Sequence, residues 1–284
     1  MSIAGFIHWN ITKPKVFGRS IYDSQNSKKR YLLLLFLSVV VGMAVGCIAV
    51  LIKQGVNLVS KLLDQPKPPV IEGISEYLFP MIGITFSVLF IRYLIRGQIG
   101  VGISTVLYSI GKRNGKMKGH HMFTSVICSI LTVGFGGSAG LEGPTITTGA
   151  AIGSNLGSLF KLKYKEKLIL IASASAGAIS AMFQAPIAGV IFAIEVMMLE
   201  LTLTAVGPIV LGSISAIIVS IVFMGQQSLN ILNRMEVVYQ LNNLQFYIIL
   251  GLCTGLVSTA FNSIYIRINC PSTHMKSQWK KIFI

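Results

Sequence analysis

The chain has 284 residues, 53% of them hydrophobic and only 12% charged, with a mean hydropathy of +0.72. A soluble domain carries about a quarter of its residues charged, so this composition excludes an ordinary soluble domain and describes a membrane protein. The net charge of +15 does not point to nucleic acid: the lysines and arginines gather at alternate connections between apolar runs, the pattern that orients membrane helices.

Residues 1–30 are basic, with Lys13, Lys15, Arg19, Lys28, Lys29 and Arg30. They lack the short apolar core and small-residue cleavage site of a secretory signal. They read as a cytoplasmic segment, and the first long helix acts as the insertion signal. Residues 31–269 then form the transmembrane part. The run 31–52 carries no charge, and it predicts an outward helix over 31–63, long enough to be tilted. Residues 77–95 return. Residues 101–110 are too short to span and read as a half-helix near the inner side, followed by Lys112, Arg113, Lys116 and Lys118. The predicted helices then alternate: 120–133 out, 144–160 in, 168–183 out, 186–199 in, 203–224 out and 246–268 in. Residues 270–284 read as a polar, basic cytoplasmic tail. The expected fold class is an all-α polytopic membrane protein with tilted and broken helices and a cytoplasmic N-terminus.

Four cysteines (Cys47, Cys128, Cys253, Cys270) lie far apart without a C-x-x-C pair, which suggests neither a metal site nor a disulfide framework. Three of them sit in apolar helices as packing residues. His120 and His121 are adjacent, which puts them on different sides of a helix, and no third ligand of suitable spacing is near. They read as interfacial residues. No cofactor is implied, and no nucleophile, base and orienting group converge as an enzyme would need.

One carboxylate stands apart. Glu142 is the only Asp, Glu, Lys or Arg between Lys118 and Lys161, inside "VGFGGSAGLEGPTITTG". Pro144 marks a helix start, which places Glu142 just before an N-terminus with its unsatisfied N–H groups and positive dipole end. Gly134, Gly136, Gly137 and Gly140 allow a non-helical approach with backbone exposed at close range. Irregular backbone at membrane depth is tolerated where it is buried or lines a cavity, and half-helix N-termini there bind anions. Glu142 then acts as a tethered anion where a free anion could sit. A helix-capping role is the plainer alternative, but a lone intramembrane acid is costly and functional by default. The spacing of Gly149, Gly153 and Gly157 reads as a close-packing stripe.

"GLEGP", followed by "FQAPIAGVIFAIE" at residues 183–195, resembles the CLC family of chloride channels and proton-coupled chloride exchangers. The first segment matches G-[K/R]-E-G-P except at Leu141, and the second matches F-N-A-P-L-A-G-[IV]-x-F-x-x-E at most positions. The resemblance implies chloride, or a similar small anion, as the transported partner, the bilayer as surroundings and homodimerisation through the helices at 186–199 and 203–224. It implies that Glu142 is the gate: deprotonated it blocks the anion path, protonated it swings away. A third segment, G-S-G-I-P, corresponds to Gly100, Val101, Gly102, Ile103 and Ser104, with Val101 where the anion-coordinating serine is expected. Gly100, Val101, Gly102, Gly140 and Gly143 are thereby the implied anion-binding positions. Val196 stands where proton-exchanging members often carry a further glutamate, so no proton relay is assigned and Glu195 reads as structural. The family fold is two inverted repeats, and the chain resembles the first. No G-x-F-x-P segment or late gate-closing tyrosine is present. The expectation is therefore a transport protein of CLC type that is incomplete as a single chain, completed by a second-half partner. The alternative is a truncated membrane fragment without transport activity, at most a pairing partner of full-length relatives, its last residues the scar of the truncation.

Overall fold

The computed structural model describes residues 24–63, 69–95, 102–197, 203–225 and 244–274. These are helices and turns, with no strand among the described residues. Contacts divide the chain into two compact units, Met1–Ser228 and Leu229–Ile284.

The first unit contains eight of the described helices: α1 (Ser24–Leu63), α2 (Pro69–Phe90, closing in a π turn over Ile91–Ile95), α3 (Ile103–Lys112), α4 (His121–Gly134), α5 (Glu142–Leu159), α6 (Tyr164–Phe183), α7 (Pro186–Val196) and α8 (Leu203–Met224). Their order and breaks match the expected ones. The ends differ where charge meets helix. α1 begins at Ser24, so Lys28, Lys29 and Arg30 of the expected N-terminal segment are helical. α6 begins at Tyr164, where the Lys163 N–H donates to Glu166 Oε2 at 2.8 Å. Lysine, arginine and glutamate are good helix formers; an apolar run reports what meets lipid or core, and the hydrogen-bond ladder extends beyond it.

α5 and α6 lie at the centre. Residues 145–154 of α5 and 170–182 of α6 are buried throughout, and α1, α4, α7 and α8 pack around them. Small residues make this possible. A Cβ on Gly149 would lie 3.1 Å from Ala174 O, and one on Gly153 would lie 2.9 Å from Leu170 O. The glycine stripe is therefore a packing face against α6, as small-residue stripes are between membrane helices. A Cβ on Gly42 of α1 would come closer still to Gly212 O of α8. Buried hydroxyls join the helices: Ser173 donates to Pro208 O at 3.0 Å and Ser220 to Ala181 O at 3.0 Å, while Ser180 and Ser213 share a 2.6 Å bond. Leu37, Val41 and Val45 of α1, Ile146 of α5, Leu170 and Ile171 of α6 and Ile209 of α8 fill the remaining core.

The second unit contains α9 (Leu244–His274). Its span Ile248–Tyr265 is long and apolar enough to cross a membrane, and large side chains such as Phe246, Leu250, Leu256 and Phe261 are exposed. α9 runs past residue 268 through Cys270 and Pro271, so the start of the expected tail is helical; residues 275–284 lie outside the described residues. Four helices altogether reach spanning length and hydropathy among the described residues.

Candidate anion site

α3 and α5 meet at their N-terminal ends. Gly102 caps α3 at φ +89°, in the left-handed region that favours glycine. Its N–H donates to Thr147 Oγ1 at 2.8 Å, and that hydroxyl donates in turn to Gly143 O at 2.8 Å. A Cβ on Gly143 would sit 3.5 Å from Gly102 Cα, an ordinary contact. Thr147, fully buried on the second turn of α5, thus ties the two helix starts together. Sequence reading missed it. The available signal was a run of hydroxyl residues, Thr145, Thr147 and Thr148, on the first turns after a proline-marked start.

Both ends carry free donors. Thr105 N–H bonds back to Gly102 O at 3.2 Å, and Thr145 N–H to Leu141 O at 3.1 Å. The amides of Ile103 and Ser104 on α3, and of Glu142 and Gly143 on α5, precede the first helical bonds and have no helical acceptor. The positive poles of two helices therefore converge here. Pro144 has no N–H to orphan. It occupies the third helical position rather than the first, so Glu142 opens α5 instead of preceding it. The first turn tolerates proline at any of these positions, because no intrahelical donor is required there.

Glu142 is half-buried, and its Oε2 lies over Gly140, in the space a Cβ would take. Its carboxylate makes no hydrogen bond or ion pair among the described residues. The approach is shorter than expected, since Gly134 is the last residue of α4, pressed against Val59 of α1. Gly136, at φ +89°, makes the turn, and Gly140 is exposed. Leu141 packs on a cluster of Ala49, Ala181, Met182 and Ala216. Gly102, Gly140, Glu142 and Gly143 are thus brought together; Gly100 and Val101 lie outside the described residues.

A cavity of about 460 Å³ runs along α3 from this end. Hydroxyls of Ser104, Thr105 and Tyr108 line it, with Arg113, Lys118 and His121 at the far side and no carboxylate among the lining residues. The Arg113 guanidinium rests over the Tyr108 ring at 5.6 Å. Ser154 fixes the connecting loop, accepting from Met117 N–H at 2.9 Å and donating to Gly115 O at 2.5 Å. His120 and His121, expected on different sides of a helix, have ring centroids 4.3 Å apart. His120 caps α4 with helical angles, φ −62° and ψ −24°, and the two rings lie tilted at 39° to each other. Burial, and then Lys118, hold the His120 pKa below the usual histidine range. No group of three or more His, Cys, Asp or Glu suited to a metal occurs among the described residues.

The second motif also folds as a helix break. α6 ends at Phe183, Gln184 turns with φ +54°, and α7 starts on Pro186. Glu195 is exposed, Val196 is half-buried and Met197 is in the core; Met198 lies outside the described residues. Cys128 is half-buried, whereas Cys47 and Cys253 are exposed, so only the first packs inside the described chain.

The chain is 26% identical over 280 residues to an H(+)/Cl(-) exchange transporter ClcA of Yersinia pestis, covering 94% of this chain and 58% of that protein. It is 27% identical over 237 residues to ClcA of Vibrio cholerae, covering 80% of this chain and 50% of that one. The chain therefore spans between half and three fifths of the length of these curated relatives. The crystal structure of a slow cyanobacterial Cl-/H+ antiporter superposes with a TM-score of 0.72 at 23% identity, over 87% of this chain and 60% of that one, which shows the shared fold. The profile of the voltage gated chloride channel family matches residues 82–284. With that match across most of its length and its helix breaks at the motif segments, the chain is an integral membrane protein belonging to the voltage gated chloride channel, or CLC, family.

Proposed function

We propose that this chain forms part of a chloride-transporting path of CLC type, with Glu142 as its gate. The observation that carries the reading is the junction of α3 and α5 through Gly102, Thr147 and Gly143. Two positive helix ends with orphan amides favour an anion, and the one carboxylate of that segment stands at the same place. A carboxylate and a free anion compete for such donors, so protonation of Glu142, or its displacement, opens the place to chloride. The relatives' names supply the substrate class, proton and chloride exchange. Gly100, Val101, Gly102, Gly140 and Gly143 form the backbone of the anion position, and the cationic cavity along α3 draws anions toward it. The orientation that fits places the Arg113 and Lys118 end, and the N-terminus, on the cytoplasmic side.

Chloride efflux from proteoliposomes tests this, with the chain alone and with a co-expressed chain matching the remaining length of its relatives. The active preparation loses its pH dependence on Glu142→Gln, which mimics the protonated gate. Unchanged pH dependence in the variant overturns the assignment of Glu142.

The second reading is a membrane chain that pairs with relatives and does not transport. The chain covers 58% of that relative, and the two readings differ in whether efflux accompanies pairing. Efflux in neither preparation, with dimers still present after crosslinking, supports it.

A further inference from the structure

We propose that Lys53 supplies the fixed positive charge of the anion position at Glu142, where Leu141 brings none. The inference rests on the chloride reading above. Lys53 follows directly on the uncharged run 31–52 of α1, and a cation so placed within a spanning helix is functional by default, with a nameable partner. Its Nζ donates to Met182 O at 2.7 Å, in the last turn of α6. Met182 belongs to the small cluster with Ala49 and Ala181 on which Leu141 packs. Ala49 lies one turn before Lys53 on α1, so Lys53 and Leu141 meet the same end of α6 around Met182.

The far side of Lys53 gives the same placement. Gly55 of α1 faces Ile130 of α4, a Cβ on Gly134 would lie 2.7 Å from Val59, and Ser60 donates to Gly134 O at 3.3 Å. Residues 49–60 of α1 therefore flank both ends of the irregular segment 135–141. Lys53 lies between those two contacts. Lys61 is the other described lysine at this end of α1, two turns further on and exposed. A chloride beside Glu142 meets the repulsion of that carboxylate, and two helix ends contribute only partial charges. A half-buried ammonium offsets the repulsion over this range, where a fully solvated one would be screened.

A plainer role for Lys53 is to cap the carbonyl end of α6. Two substitutions separate the roles. Lys53→Gln keeps a donor for Met182 O and removes the charge; Lys53→Arg keeps both. Chloride binding to the purified full chain is measured by isothermal titration, beside thermal unfolding. The expected result is chloride affinity lower by on the order of tenfold in Lys53→Gln, the effect of a unit charge acting across one or two helical turns in partly buried surroundings, with Lys53→Arg close to the parent. Adding Leu141→Lys to Lys53→Gln restores most of the affinity. Equal affinity in parent and Lys53→Gln overturns the inference and leaves the chloride reading standing. A parent that binds no chloride, either alone or with the co-expressed chain matching the remaining length of its relatives, overturns both. Weak binding in Lys53→Gln accompanied by an equally large loss of thermal stability, without rescue by Leu141→Lys, assigns the capping role and overturns the inference.

Discussion

Thr147 shows how much one hydroxyl carries. It accepts from Gly102 N–H and donates to Gly143 O, so Thr147→Val leaves a half-buried amide without its acceptor. An unmade bond of that kind costs about 1–3 kcal/mol. The expected outcome is a lower unfolding temperature in detergent, together with weaker chloride binding as α3 loses its register on α5. His120 gives a pH prediction. Burial, with Lys118 second, lowers its folded pKa, so the unfolded chain takes up the proton first and folding opposes protonation. The stability contributed by the neutral ring is present above the ordinary histidine value of about 6.5 and is lost as pH falls through it. Thermal unfolding followed from pH 7.5 to 5.5 is expected to show a declining midpoint, and His120→Asn a shallower decline.

Packing of whole helices is decided by what a glycine leaves room for. Gly153 places α5 so near α6 that a Cβ would meet Leu170 O at 2.9 Å. Gly153→Val is expected to destabilise the chain by about 2 kcal/mol or more through overpacking against backbone that cannot move aside. Gly111 of α3 has nothing within 4 Å of the same position, so Gly111→Ala is expected to stabilise by roughly 0.5–1 kcal/mol from helix propensity alone. Thermal denaturation of the pair checks both signs in one experiment. The breaks between helices follow local chemistry in the same way. Gln184 in the left-handed region and Pro186 on the first position of α7 end one helix and start the next.

For the molecule as a whole, Val196 bears on coupling. It is half-buried where proton-exchanging members often carry a further glutamate, and Glu195 beside it is exposed. An active preparation is expected to move chloride down its gradient without driving protons uphill, measured with a pH-sensitive dye inside the liposomes. Stoichiometric proton pumping would assign the relay elsewhere, with Glu195 tested first by Glu195→Gln. Composition and hydropathy by themselves determined the membrane class, and the proline and glycine punctuation determined the order and breaks of the helices, because those signals act within a few residues. The isolation of Glu142 was equally legible, since a lone acid in an apolar stretch needs no partner to be noticed. Helix ends at charged residues were misplaced, because hydropathy tracks the environment and the hydrogen-bond ladder does not follow it. Thr147 as the tie between α3 and α5 and the seat of Lys53 beside Met182 were decided by tertiary structure alone. Each joins residues distant in sequence, and such contacts are set by how glycine and serine faces let the helices approach.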